Sequence, residues 1–236
     1  MMPDAIAIIP ARGGSKGVPH KNRRIVAGIP LISYTLRTAR EASSLTRIVV
    51  TTDEDAIADI ARAEGAEVVL RPAEIAGDSS PVIDAVRHVL ETLAERDGFT
   101  ADVIALLQPT SPFRSPADID SAIDLFLRND ETPVCSVYQC EDNHPARMYR
   151  IADGRLASLL PELSSVRRQD LPPVYHRNGS MYVFGQREVA SGQIISHAMQ
   201  PYIMGQQSSV NIDTELDLVL MAAILEQGRE NPDPGA

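Results

Sequence analysis

Short apolar runs alternate with stretches of helical periodicity over the first 140 residues, the rhythm of a wound α/β sheet. Ala5 to Ile9 is an unbroken apolar run stopped by Pro10, which predicts a strand covered on both faces. Pro30 stands at a helix start, and Leu31 to Ala42 carries the first predicted helix. Arg47 to Thr52 is the second strand. Asp53 is expected to cap a helix running through Glu64, Glu67 to Leu70 is a third strand, and Val82 to Arg96 a further helix. Val103 to Gln108 reads as another buried strand. Ser115-Pro116-Ala117-Asp118 opens the next helix with a cap, a proline at the first helical position and an early acid.

Pro133 to Cys140 predicts a fifth strand, after which the rhythm changes. From Glu141 to Arg177 short alternating pieces such as Met148 to Ile151 are broken by Asp153-Gly154, a hairpin signal. Ser180 to Phe184 returns to the sheet, and Thr214 to Gln227 is the last helix. The predicted fold is Rossmann-like α/β: a mostly parallel sheet with helices on both faces and an inserted β-rich flap. Residues 1–140 form the nucleotide-binding core, 141–177 the flap, 178–227 the return to the core, and 228–236 a polar tail expected to be disordered. The flap exposes strand edges that a partner subunit can cover.

A charge of −10 at pH 7 argues against a broad nucleic-acid or anionic-membrane surface. No apolar run reaches the length of a membrane span, and the N-terminus lacks a basic region before a long apolar one, so a cytoplasmic location is expected. Cys135 and Cys140 lie five apart on a predicted strand, which points them to opposite faces as reduced core residues.

Against this acidic body one loop stands out. Arg12, Lys16, Lys21, Arg23 and Arg24 fall in a segment without an acid, and Lys16 and Lys21 are the chain's two lysines. Gly13, Gly14 and Gly17 let its backbone approach a ligand, and successive N–H groups there form an anion-binding concavity. A lysine is a mobile point charge that can follow a phosphate through a reaction, and the outline is that of a polyphosphate site. A solvated charged loop is the plainer reading of the same residues. Neither the Walker pattern nor G-x-G-x-x-G is present, because Lys16 precedes Gly17 and the glycines run G-G-x-x-G.

Three other places lie past strands, where the ligand crevice of a parallel sheet forms. Gln108-Pro109-Thr110-Ser111-Pro112-Phe113-Arg114 places an amide, two hydroxyls and an arginine after a strand; a rigid capped connection explains it equally. Asn211-Ile212-Asp213-Thr214-Glu215-Leu216-Asp217 offers either a helix cap or, beside a polyphosphate, a carboxylate for Mg²⁺. Arg167-Arg168-Gln169-Asp170 and His176-Arg177-Asn178-Gly179 offer arginines for a carboxylate or for holding the flap. Arg71 is balanced between base contact and surface, and His88 reads as structural.

Taken in order, Ala11-Arg12-Gly13-Gly14-Ser15-Lys16-Gly17 with Lys21-Asn22, Arg71-Pro72-Ala73-Glu74, Gln108 to Arg114, Asn178-Gly179 and Ile212-Asp213-Thr214 resemble the acylneuraminate cytidylyltransferases. These are the CMP-sialic acid synthetases and their relatives for other nine-carbon and eight-carbon 2-keto acids. The resemblance runs from about Ala5 to Gln227. It implies transfer of CMP from CTP to a nonulosonic acid with release of pyrophosphate, assisted by Mg²⁺. It further implies Arg12, Lys21 and Asp213 as catalytic residues, with Asp213 on the metal. Ala11, Arg12, Gly13, Ser15, Lys16, Asn22 and Arg71 would bind the nucleotide. Gln108, Arg168 and Asn178 would face the sugar acid, and Arg147 would reach across a homodimer formed through the flap. The alternatives are an eight-carbon keto acid or a phosphonate as acceptor, and a non-catalytic nucleotide-binding module.

Two departures bear on these expectations. Sialic acid members often read Arg-Pro-Asn-Gly where this chain has His176-Arg177-Asn178-Gly179, which displaces the arginine by one position. Some members carry an acid where this chain has Asn211, which puts a two-metal scheme in doubt.

Overall fold

The computed structural model describes residues 3–14, 17–77, 79–196 and 198–230. The chain opens with β1 (Ala5–Pro10), a small hairpin of β2 (Ile25–Val26) and β3 (Ile29–Pro30), then α1 (Leu31–Glu41) and β4 (Arg47–Thr52). It continues through α2 (Asp55–Ala63), β5 (Glu67–Leu70), α3 (Val82–Asp97), β6 (Val103–Leu107), α4 (Pro116–Arg128) and β7 (Val134–Gln139). The flap hairpin pairs β8 (Tyr149–Ala152) with β9 (Arg155–Ser158). After it come β10 (Tyr175–Phe184), α5 (Gln186–Ser191), β11 (Gln200–Ile203) and α6 (Glu215–Glu230).

Seven strands form the main sheet in the order β11-β7-β10-β6-β1-β4-β5. β10 runs antiparallel to both β6 and β7, and the other pairings are parallel. The chain winds outward from β1 through β4 and β5, then returns to lay β6 on the other side of β1. That reversal opens a crevice past the carboxyl ends of β1 and β6, where an α/β sheet binds its ligand.

β1 is wholly enclosed because its side chains face two cores. Ala5, Ala7 and Ile9 pack with residues of α1, α2 and α4, whereas Ile6 and Ile8 pack with α3 and α5. Truncating Ile6 or Ile8 to Ala would cost about 2–5 kcal/mol. A third cluster joins Val18 and Leu31 to Ile212, Leu218 and Met221, so α6 is anchored beside the basic loop. Where α4 begins, the Ser115 hydroxyl accepts the Asp118 N–H and the Asp118 carboxylate accepts the Ser115 N–H, the predicted cap.

The structure adds elements the pattern did not announce: the β2–β3 hairpin, α5 and the edge strand β11. β10 starts at Tyr175, inside the range assigned to the flap, because residues 175–177 pair with β7. α6 extends to Glu230, so the first residues of the expected tail are helical; 231–236 lie outside the described residues. The flap turn has Asp153 and Gly154 both at positive φ, 50° and 74°, as the hairpin signal requires. Cys135 and Cys140 are free thiols, and burial pushes Cys135 up to about 11.

Candidate active site

At the switch point Pro10, Arg12, Lys21, Asn22, Gln108 and Asp213 line a cavity of about 360 Å³. The basic loop is held over β1 by its own backbone. The Ala11 N–H donates to the Thr51 carbonyl at 3.0 Å, the Asn22 amide donates to the Arg12 carbonyl at 3.0 Å, and the Gly13 N–H donates to Asp53 Oδ1 at 2.8 Å. Asp53 is therefore not the helix cap expected of it. Glu54 occupies the cap position of α2 without a side-chain hydrogen bond, and Asp53 instead ties down the loop. Its signal was its place directly after the carboxyl end of a strand.

Gly17 shows why a glycine is needed there. A Cβ on it would stand 2.2 Å from the carbonyl oxygen of Asp213. The loop thus presses directly on the segment that leads into α6, and Lys21 crosses the same gap. Its Nζ donates to the Ile212 carbonyl at 2.7 Å and to Asp213 Oδ1 at 2.8 Å. The Asn211 amide donates to the other Asp213 oxygen. Desolvation raises Asp217, but hydrogen bonds from the Asp213 and Thr214 backbone, the Thr214 hydroxyl and the charge of Lys21 outweigh it and leave the group lowered.

The described cations of the loop do not act together. Arg12 and Lys21 line the cavity, whereas Arg23 pairs with Glu54 at 3.0 Å and Arg24 with Glu215 at 2.9 Å. Ser15 and Lys16 lie outside the described residues. Arg71 belongs to an adjoining cavity of about 180 Å³ that shares Pro10 and Arg12 and includes Ser80. Its guanidinium donates to the Thr51 carbonyl at 3.1 Å, and burial pushes it down against the opposing charge of Asp53.

Gln108 lies between the first cavity and a third of about 440 Å³, lined also by Tyr138, His176, Arg177, Asn178 and Asn211. The Asn178 amide is fully engaged by the protein. Its Oδ1 accepts from the Ser136 hydroxyl at 2.6 Å and the Ser180 N–H at 3.0 Å, and its Nδ2 donates to Ser209 Oγ at 2.9 Å. Asn178 thus shapes the wall at its buried end. Gly179 stands at φ 72°, a left-handed backbone that favours glycine, and a Cβ there would make only ordinary contact with Gln108 Oε1 at 3.4 Å.

The displaced arginine is resolved by strand register. His176 pairs with Tyr138 and Arg177 with Val137, so the two side chains leave opposite faces of β10. The His176 and Tyr138 rings lie 5.4 Å apart, a register shift follows between Arg177 and Tyr182, and both Arg177 and His176 border the cavity. The sequence offers Arg177 for a carboxylate and Asn211 only as part of the candidate metal motif, whereas it does not single out Tyr138, since nothing local in it shows where β10 bends.

Arg168 and Arg147 are not brought to this place within one chain. Arg168 donates to the Glu141 carbonyl at 3.2 Å and pairs with its carboxylate, in a separate flap cavity beside His144 and Pro172. Arg147 is the exposed last residue of a single turn, Pro145–Arg147, whose Ala146 is buried. An apolar groove of about 460 Å³ at the opposite end of β6 includes Leu90, Phe99 and Val189, and its Arg87 is committed to the Val189 carbonyl. Its chemistry does not suit a polyphosphate.

No group of three or more His, Cys, Asp or Glu side chains converges on one point among the described residues. Asp213 is a single carboxylate, largely exposed, facing a cation-lined cavity. That donor set fits Mg²⁺, which takes one or two carboxylates and completes its shell with phosphate oxygens and water.

A mostly parallel sheet with a glycine-rich basic loop at its switch point, and a second polar chamber beside it, defines a nucleotide-binding α/β protein with room for a second ligand. Residues 6–227 match the family model described as Cytidylyltransferase, and the chain belongs to that family. It is 36% identical over 95% of its length to the CMP-N,N'-diacetyllegionaminic acid synthase of Legionella pneumophila subsp. pneumophila, of which it covers 97%. It is 32% identical over 94% of its length to the N-acylneuraminate cytidylyltransferase of Escherichia coli O18:K1:H7, and it spans about half (52%) of that protein. In fold it is similar to a CMP:2-keto-3-deoxy-manno-octonic acid synthetase complexed with CTP, with a TM-score of 0.70 at 16% identity, covering 95% of this chain and 99% of that one. Among the described residues no helix is long and apolar enough to cross a membrane.

Proposed function

We propose that the protein transfers CMP from CTP to the anomeric hydroxyl of a nonulosonic acid and releases pyrophosphate. The observation that carries this reading is the pair of cavities sharing Gln108, one lined by Arg12 and Lys21 and the other by Arg177, His176 and Tyr138. The first suits a triphosphate, and the second offers a cation and polar groups to a sugar carboxylate. Full-length similarity to a CMP-sugar acid synthase supports the same pairing of substrates.

In this reading the anomeric oxygen bonds to the α-phosphorus as its hydroxyl proton leaves to solvent. The bond from phosphorus to the bridging oxygen breaks, and its electron pair departs with pyrophosphate. Arg12 and Lys21 neutralise the charge that grows on the departing group, and Asn22, Gly13 and Asp53 hold the loop in place. Arg71 lies in the adjoining cavity as the residue for the base. Asp213 would hold Mg²⁺, which supplies charge neutralisation on phosphate oxygens. Lys21 and Asn211 orient that carboxylate.

The flap supports a homodimer. Ile151 and Leu156 pair across the hairpin at 80% and 70% exposure, apolar surface that a second copy would cover, with Arg147 and Arg168 on the same insertion.

The test is a pyrophosphate-release assay with each of the four nucleoside triphosphates against a panel of nonulosonic acids, an eight-carbon keto acid and a phosphonate. CTP and a nine-carbon acid are expected to turn over. Preference for the eight-carbon acid or phosphonate would move the acceptor, and nucleotide binding without turnover on any acceptor would leave a binding module.

A further inference from the structure

Arg114 is 2% exposed, and among the described residues no carboxylate pairs with it. Burial pushes its guanidinium down to about 9, with Asp118 opposing at longer range, so it remains a cation at neutral pH. Removing an ion from water without a partner is costly, whereas an apolar side chain of similar length would fill the same space at no such cost. Packing alone does not explain an arginine here.

Its fork does something an apolar side chain cannot. Nε donates to Ser180 Oγ at 3.1 Å, Nη1 donates to Thr35 Oγ1 at 3.0 Å, and Nη2 donates to the Gln108 carbonyl. These acceptors come from β10, α1 and the end of β6, three elements distant in sequence. Two of them belong to the wall between the cavities. Gln108 is shared by both chambers, and the Ser180 N–H holds Asn178 Oδ1 while its carbonyl accepts the Gln108 N–H at 3.3 Å. The turn beginning at Gln108 continues to Thr110, whose carbonyl accepts the Ile212 N–H at 2.7 Å. A rigid planar donor thus sets where this wall stands relative to the sheet.

We propose that Arg114 is a positioning residue for the acceptor chamber, acting through Gln108 and the Asn178-Gly179-Ser180 bend to align the second substrate rather than to bind the nucleotide. This rests on the two-substrate reading given above. Displacement of an orienting wall by about 1 Å is enough to cost about a hundredfold in rate.

The test compares the full chain with Arg114→Met and Arg114→Lys. Both variants are expected to raise KM for the acid and lower kcat by about tenfold or more each, with CTP affinity by calorimetry within about twofold of the parent. Arg114→Lys keeps the charge but not the fork, and its failure to restore the acid KM separates geometry from charge. If Arg114→Met does not fold, Thr35→Val removes one acceptor and should show the same split at about threefold. Loss of CTP affinity in step with acid KM and melting temperature, or a folded Arg114→Met with parental kinetics, overturns the proposal. Should the parent protein turn over no acid, the functional reading falls by itself. Amide hydrogen exchange then decides the clamp: faster exchange at residues 108–111 and 178–180 in Arg114→Met, with β1 unchanged, upholds it, and unchanged exchange there removes it.

Discussion

Lys21 and Asp213 stand 192 positions apart in the chain and 2.8 Å apart in space. The lysine side chain is mostly buried and also holds the Ile212 carbonyl, whereas the carboxylate is largely exposed toward the cavity. This asymmetry makes the pair a poor stabilising bridge, worth at most about 1 kcal/mol when one partner is solvated. It makes good sense as a way to present a carboxylate and an ammonium to the same phosphates.

Lys21→Ala should therefore depress kcat by about 10²–10³, the cost of deleting one preorganised donor to developing charge. The melting temperature should fall by only a few degrees. Steady-state kinetics beside a thermal scan checks this, and a loss of activity no larger than the loss of folded protein would make Lys21 structural.

Asp213→Asn keeps the shape of the side chain and removes the charge that fits Mg²⁺. The Mg²⁺ concentration for half-maximal rate should rise by about 10–100-fold, with CTP affinity in the absence of metal nearly unchanged. A metal titration of pyrophosphate release reads this directly, and an unaltered midpoint would return Asp213 to the role of a helix-start residue.

Gly17→Ala places a methyl group where 2.2 Å separates it from the Asp213 carbonyl. The loop and the α6 lead-in must move apart, with a strain of about 1–3 kcal/mol. Because Lys21 bridges the same gap, CTP affinity should fall more than stability does. Calorimetric binding that matches the parent would show that the contact yields elsewhere.

Acid stability should depend in part on Asp120. Burial raises this carboxyl, but it accepts hydrogen bonds from the N–H and hydroxyl groups of both Ser43 and Ser44, and the outcome is a lowered group. A folded-state value below the unfolded one, about 3.9, contributes stability above that pH and loses it as pH falls through the folded value. Asp120→Asn should lower stability at pH 7 and flatten the decline below about pH 4. Denaturant melts across pH measure both, and a parallel acid decline in the two proteins would count against the serine clamp.

Much of the sheet was legible because fully buried parallel strands leave a strong local trace. Ala5–Pro10 and Val103–Leu107 form where the apolar runs place them, and the Ser115 cap forms as its residues require. β11 was not legible: Gln200–Ile203 is a half-exposed edge strand containing Pro201, without the apolar run that marks a central one. Asp53 was misread for a related reason. An acid before a helix satisfies the local rule for a cap, but the Gly13 N–H that claims it comes from 40 positions away.

The sequence by itself determined the wound α/β pattern, the flap's place in it and the basic loop, since hydrophobic period, turn chemistry and glycine spacing act over a few residues. Tertiary structure alone decided which cations reach the cavity. Arg23 and Arg24 are drawn to Glu54 and Glu215, whereas Arg12 and Lys21 line the cavity. It likewise buried Arg114 under the wall between two chambers and set Lys21 against Asp213. Such contacts join segments far apart in the chain, and their geometry exists only once the sheet has closed.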